Sequence, residues 1–231
     1  LSENLRTTIR EVYSQFLSED GRYVDYEGFS KSDIFSDYLE ATASLHRLVL
    51  EELSSIAEST AFWINIYNAL VIHSTAVHGP PSTFMRRYQF FNKCAYRIGS
   101  YQFTLNDIEH GILRANRKPP ASLRSQFSSN DRRAKYALKN CDARIHFALV
   151  CGAKSCPAVS CYDAENIEST LDMATTAFLE SPCNLSVDVE KREITLSMLF
   201  KWYRHDFAKS DYGIVMFILA YVQDRSIKEK L

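Results

Sequence analysis

Arg144-Ile145-His146-Phe147-Ala148-Leu149-Val150-Cys151-Gly152-Ala153-Lys154-Ser155-Cys156-Pro157-Ala158-Val159-Ser160-Cys161 is the stretch around which the rest of the chain is read. Ile145 to Val150 is a short apolar run rich in branched and aromatic side chains, and Gly152 stops it, so the run predicts a strand. Successive side chains on a strand point to opposite faces. His146 then shares a face with Arg144, Ala148 and Val150, and Cys151 lies on the other. The run breaks into Gly152-Ala153-Lys154-Ser155-Cys156-Pro157, a loop by composition. Cys151, Cys156 and Cys161 are evenly spaced and make up half of the chain's 6 cysteines. A strand that delivers a histidine and ends in a cysteine loop is a place for chemistry.

The elements around it suit an α+β fold. Thr60 to Val77 reads as a helix apolar almost all round, which places it in the core of its domain. Gly79-Pro80-Pro81 ends it. Asn65 and Asn68, three apart, share one face of that helix. A buried amide left unpaired costs roughly 1–3 kcal/mol, so both are expected to bond neighbouring loops or a site residue. Before this helix, Ser2–Leu17, Ser32–Ala43 and Ser44–Ile56 read as helices, the first with Leu5, Ile9, Val12 and Phe16 on one face. After it come a hairpin around Gly99-Ser100, a helix over Leu105–Arg114 capped by Thr104, and a helix over Asp163–Leu179. A second hairpin follows around Glu190-Lys191, then a short aromatic helix from Leu199 and a last helix over Gly213–Val222. This order of helices and hairpins predicts a helix-rich α+β domain with small antiparallel sheets around a buried central helix. The expected division is a helical region over residues 1–59 leading into an α+β core over residues 60–231, within one compact domain.

With 231 residues and 46% hydrophobic content, the chain suits one large globular domain. A formal net charge of -1 gives no electrostatic case for nucleic acid or anionic membrane. No apolar run is long enough to span a bilayer. The chain starts at Leu1 with no signal-peptide pattern, and the expectation is a segment of a longer protein. Its modest cysteine usage favours an intracellular setting with reduced thiols.

Four motifs in order resemble one family. They are Ala61-Phe62-Trp63-Ile64-Asn65-Ile66-Tyr67-Asn68-Ala69-Leu70, Leu105-Asn106-Asp107-Ile108-Glu109-His110-Gly111-Ile112-Leu113-Arg114, Arg144 to Pro157, and Leu199-Phe200-Lys201-Trp202-Tyr203 with Asp206-Phe207. The chain resembles the domain of unknown function numbered 547 from about Trp63 to Phe207. The resemblance implies no mechanism. Some animal-type relatives carry the domain beside DEP and glutaredoxin domains, and plant relatives carry it after a leucine-zipper segment. Those neighbours point to signalling, thiol chemistry or scaffolding without choosing among them.

Cys156 is the candidate nucleophile. A thiolate is the reactive form, so a base or a positive charge has to lower the thiol's pKa. Lys154 is close in sequence, and His110 or His146 is available to be close in space. The competing reading is a buried structural cysteine. His110 is the candidate base, with an unperturbed value near about 6.5 that suits proton transfer. The competing reading is a capping or core histidine. Neighbours on an α-helix point about 100° apart, so Glu109 is expected to contact Arg114 or Arg144 rather than His110. Asn65 or Asn68 is the expected orienter of His110, as in Cys-His-Asn hydrolases. Arg144, Glu109 and His146 are candidates to hold substrate, with Arg144 equally able to bind a protein carboxylate and His146 equally able to be a satisfied core histidine. Zinc on His110, His146, Cys151, Cys156 and Cys161 is the weaker alternative, since the spacing lacks a paired CxxC. No cofactor motif is present. Two readings follow: a thiol hydrolase or acyl transferase on a peptide or amide, and a non-enzymatic module that binds a peptide or protein partner.

Overall fold

The computed structural model describes residues 3–19, 23–120, 122–150 and 160–230. The chain opens with helices α1 (Glu3–Phe16), α2 (Tyr26–Ser30), α3 (Asp33–Ala43) and α4 (Ile56–His78). Ser55 starts α4 with a reciprocal cap: its hydroxyl accepts from the Glu58 N–H, and the Glu58 carboxylate accepts from the Ser55 N–H. Gly79 ends α4 at φ 73°, a left-handed backbone that glycine adopts without penalty. Between those ends α4 is buried continuously from Thr60 to Ile72, as its apolar circumference requires. No described helix is long and apolar enough to cross a membrane.

The helix expected over Ser44–Ile56 is instead two single 3-10 turns, Ser44–Arg47 and Leu50–Glu52, with Leu48 and Val49 extended between them. The cause is a competing partner. In an α-helix the Leu45 carbonyl would accept from Val49, whereas here it accepts from the N–H groups of Leu48 and Gly99. Gly99, at φ 55°, lies so close that a Cβ there would sit 2.9 Å from the Leu48 carbonyl oxygen. The segment is thereby pinned to the hairpin instead of winding onward.

Helix α5 (Phe84–Lys93) leads into strands β1 (Ala95–Ile98) and β2 (Tyr101–Thr104), paired antiparallel with Ala95 opposite Thr104. Asp107–Leu113 is a π-helix where an α-helix is expected. The Arg114 and Asn116 N–H groups reach back five residues to the Glu109 and Gly111 carbonyls.

Ile145–Val150, expected as a strand, begins within a 3-10 turn over Ala143–Phe147. Asp142 caps that turn through the Arg144 N–H, and Ile145 and Ala148 bond three residues back. A short apolar run buried on all sides satisfies either geometry, so its periodicity alone could not separate them. Helix α6 (Ile167–Leu179) follows, then β3 (Leu185–Asp188) and β4 (Glu193–Leu196), a second antiparallel pair. Helices α7 (Met198–Trp202), α8 (Arg204–Phe207), α9 (Asp211–Tyr221) and α10 (Arg225–Lys228) complete the described chain. Helix-rich α+β architecture with two small antiparallel sheets is therefore what the chain adopts.

Two apolar clusters hold these elements. The larger joins Leu5, Ile9, Phe29 and Tyr38 of the opening helices to the Trp63–Ile72 face of α4, the first hairpin and the π-helix. Tyr38 donates its hydroxyl to the Ala69 carbonyl at 2.8 Å, so α3 is tied to α4 by a buried polar contact as well. The smaller cluster joins Phe147 to Phe178, Leu185, Phe200 and Ile218. Ile145 belongs to the first cluster and Phe147 to the second, and His146 lies between them on the chain.

Candidate functional site

Asn65 and Asn68 are buried, and each spends both ends of its amide on backbone. Asn68 donates to the Ala148 carbonyl at 3.0 Å and accepts from the Val150 N–H at 2.9 Å. Asn65 donates to the Tyr162 carbonyl at 2.6 Å and accepts from the Tyr162 N–H at 3.0 Å. Val150 and Tyr162 flank the cysteine loop, so two amides one turn apart on α4 tie down the chain on both sides of it. Cys156, Cys151 and Lys154 lie outside the described residues. Neither asparagine bonds His110.

His110 and Glu109 sit on the π-helix and are both buried. Arg114 donates Nη1–H to His110 Nδ1 at 2.9 Å. A guanidinium has donors only, so Nδ1 presents its lone pair and the neutral ring carries its hydrogen on Nε2. Burial lowers the His110 pKa; Glu109 opposes that shift and Arg114 adds to it. Glu109 accepts from the hydroxyls of Tyr203 at 2.5 Å and Tyr67 at 3.1 Å. It forms no ion pair with Arg114 or Arg144. Its Oε1 does come within 3.5 Å of His110 Nδ1, a closer approach than α-helical geometry led one to expect. Burial pushes the Glu109 carboxyl up, but His110, the Tyr203 hydroxyl, His146 and Arg114 outweigh it and leave it lowered.

His146 donates from Nε2 to Asp206 Oδ2 at 2.9 Å, and its ring stacks on Tyr203 with centroids 3.9 Å apart. Asp206, on α8, also accepts from Arg114 Nε at 2.5 Å and Nη2 at 3.2 Å, and from Arg117 at 2.8 Å. Burial opposes ionisation of Asp206, whose side chain is 1% exposed, yet His146, Arg114 and Arg117 hold its carboxyl well below the usual range. The Arg114 guanidinium also lies 4.8 Å over the Tyr203 ring. The result is a closed circuit: Glu109 to Tyr203, Tyr203 against His146, His146 to Asp206, Asp206 to Arg114, Arg114 to His110, and His110 back to Glu109 at 3.5 Å. Nearby Cys141 is pushed up to about 12, first by burial and then by Asp206, so it is a poor thiolate.

The sequence candidates therefore divide. His110, Glu109 and His146 converge. Arg144 points elsewhere, bonded to Asp142, Glu168 and Asp172, so three protein carboxylates occupy it. Asp206, Tyr203 and Arg114 stand within the quoted motifs without a role of their own, Arg114 apart from its expected contact with Glu109, yet these three join the two histidines. An acid in the aromatic run from Trp202 to Phe207 was the available signal. Of the zinc candidates, His110, His146 and Cys161 are inside the described residues, and Cys161 has its thiol raised by burial. Among the described residues no group of three or more His, Cys, Asp or Glu is placed to hold a metal ion.

A family model described as "Protein of unknown function, DUF547" matches residues 50–179, more than half of the chain. The matched range contains Asn65, Asn68, Glu109, His110, Arg114 and His146, and ends before Tyr203 and Asp206. No curated protein and no solved structure matches the chain.

Proposed function

This chain belongs to the DUF547 family, proteins of unknown function, and from that premise we propose that it is a thiol-dependent hydrolase or acyl transferase acting on a peptide or amide. The observation that carries the reading is the His146–Asp206 pair at 2.9 Å, five residues before Cys151 and ten before Cys156. A carboxylate on one ring nitrogen orients an imidazole and stabilises its protonated form, the arrangement a nucleophile's base requires. Among the described residues His146 Nδ1 has no hydrogen-bond partner, which leaves its lone pair for a thiol.

The geometry supports roles different from those read from sequence. His110 has its lone pair engaged by Arg114, so its remaining nitrogen donates; it serves as a hydrogen-bond donor toward substrate. His146 takes the Cys156 proton on Nδ1. The thiolate sulfur bonds to the carbonyl carbon, the carbon–nitrogen bond breaks, and the leaving amine takes the proton from His146. Water or another acceptor then attacks the thioester and releases Cys156. Asn65 and Asn68 act as positioning residues by holding both flanks of the loop. Six cysteines, too few in a chain this long to be its main staple, support a reducing, intracellular setting.

A non-enzymatic partner-binding module is the second reading. Closure of the buried circuit favours it, because such a network also serves to fix a fold. Limiting iodoacetamide near neutral pH, with peptide mass spectrometry of every cysteine, separates the two. The enzyme reading expects Cys156 to label fastest. Labelling of Cys156 no faster than exposed Cys183 favours the module.

A further inference from the structure

From Ser59 to Asn106 the chain has no Asp or Glu, while Arg86, Arg87, Lys93 and Arg97 fall within that stretch. All four are exposed, and among the described residues none forms an ion pair. Helix α5, which carries Arg86, Arg87 and Lys93, also carries unusual apolar exposure: Phe84 is 85%, Met85 60% and Tyr88 59% exposed. Phe84 and Tyr88 are four apart and Met85 and Tyr88 three apart, so they project from one face of α5. Phe90 on the opposite side anchors the helix in the core. Between α5 and the Gly79–Pro81 turn is a cavity of about 370 Å³ lined by His78, Pro80, Pro81, Arg86 and Lys93, with no carboxylate on its wall.

We infer that α5 and the turn at Gly79–Pro81 form a docking surface for an anionic membrane, with lipid headgroups at the Arg86–Lys93 cavity and the aromatic face at the interface. The net charge of -1 offers no attraction overall, but this stretch is basic without a carboxylate, and that local charge argues for an anionic occupant. The shape argues for lipid: Phe84 and Tyr88 protrude instead of lining a groove, which suits insertion among headgroups better than capture of a peptide. Arginine stems extend the apolar surface while their charges reach phosphate.

The test is cosedimentation of the protein with vesicles of phosphatidylcholine alone and of phosphatidylcholine with phosphatidylserine. Binding to the second and not the first is expected, and inorganic phosphate at matched ionic strength should not release it. Each basic residue near an anionic surface contributes roughly a fivefold gain in partitioning, so Arg86→Gln with Arg87→Gln should lose roughly twenty-five-fold. Phe84→Ala with Tyr88→Ala should weaken binding without changing the thermal midpoint, since both side chains are exposed. Equal binding to neutral vesicles, no binding, unaltered binding by both double variants, or full release by free phosphate overturns the inference. Binding of polyglutamate without binding of vesicles also overturns it and assigns the surface to an acidic protein.

Discussion

The two asparagines of α4 and the two histidines beside it are all buried, yet they are spent differently. Each asparagine amide is used at both ends on loop backbone, as donor and as acceptor. The histidines bond charged side chains, each through one nitrogen, and share a carboxylate and a guanidinium between them. An amide bonded in this way holds a chain in place. An imidazole held on one side by charge keeps a second nitrogen for a proton. That contrast is why the loop-flanking amides are read as positioning and the charged circuit as the chemistry.

Removing the shared anion should have the largest effect. Asp206→Ala leaves Arg114, whose side chain is 6% exposed, as a buried charge without its partner. A loss of about 3–5 kcal/mol in unfolding free energy is expected from urea denaturation. A loss below about 1 kcal/mol, the scale of an exposed pair, would mean that the circuit is hydrated.

The amides come next. Asn65→Ala and Asn68→Ala each leave a backbone N–H and carbonyl unpaired, costing about 1–3 kcal/mol apiece. Hydrogen exchange should show the Tyr162 amide accelerated in the first variant and the Val150 amide in the second. Unchanged exchange at both would dissolve the distinction between clamp and circuit.

The pH dependence of stability is the smallest effect. Burial lowers the His110 pKa in the folded state, so between that value and the unfolded value of about 6.5 the unfolded chain binds more protons. Stability from this group is full above about 6.5 and falls on acidification, with a slope of at most about 1.4 kcal/mol per pH unit. His110→Gln should flatten that slope between neutral pH and the range where carboxylates titrate. An unchanged slope would assign the acid sensitivity elsewhere.

Much of this was legible in the sequence. The all-round apolarity of Thr60–Val77 placed α4 in the core, and the cost of an unpaired amide required Asn65 and Asn68 to bond something nearby. Gly99-Ser100 and Glu190-Lys191 marked both hairpins. What stayed hidden depended on contacts across the fold. Leu45 lost its helical partner to Gly99, far along the chain. On the π-helix, Glu109 comes within 3.5 Å of its sequence neighbour His110, a contact that α-helical spacing did not predict. Asp206 stood within a quoted motif, but its role was hidden, because it comes from α8 carrying it between Arg114, Arg117 and His146.

The rate of Cys156 alkylation against pH, in the unaltered protein and in His146→Gln, tests the central claim most directly. A cysteine served by the His146–Asp206 pair should become reactive well below the ordinary thiol value of about 8.5, and His146→Gln should return the midpoint to it. Matching midpoints in the two proteins, or one at or above the ordinary value in both, would contradict the assignment of His146 as the base.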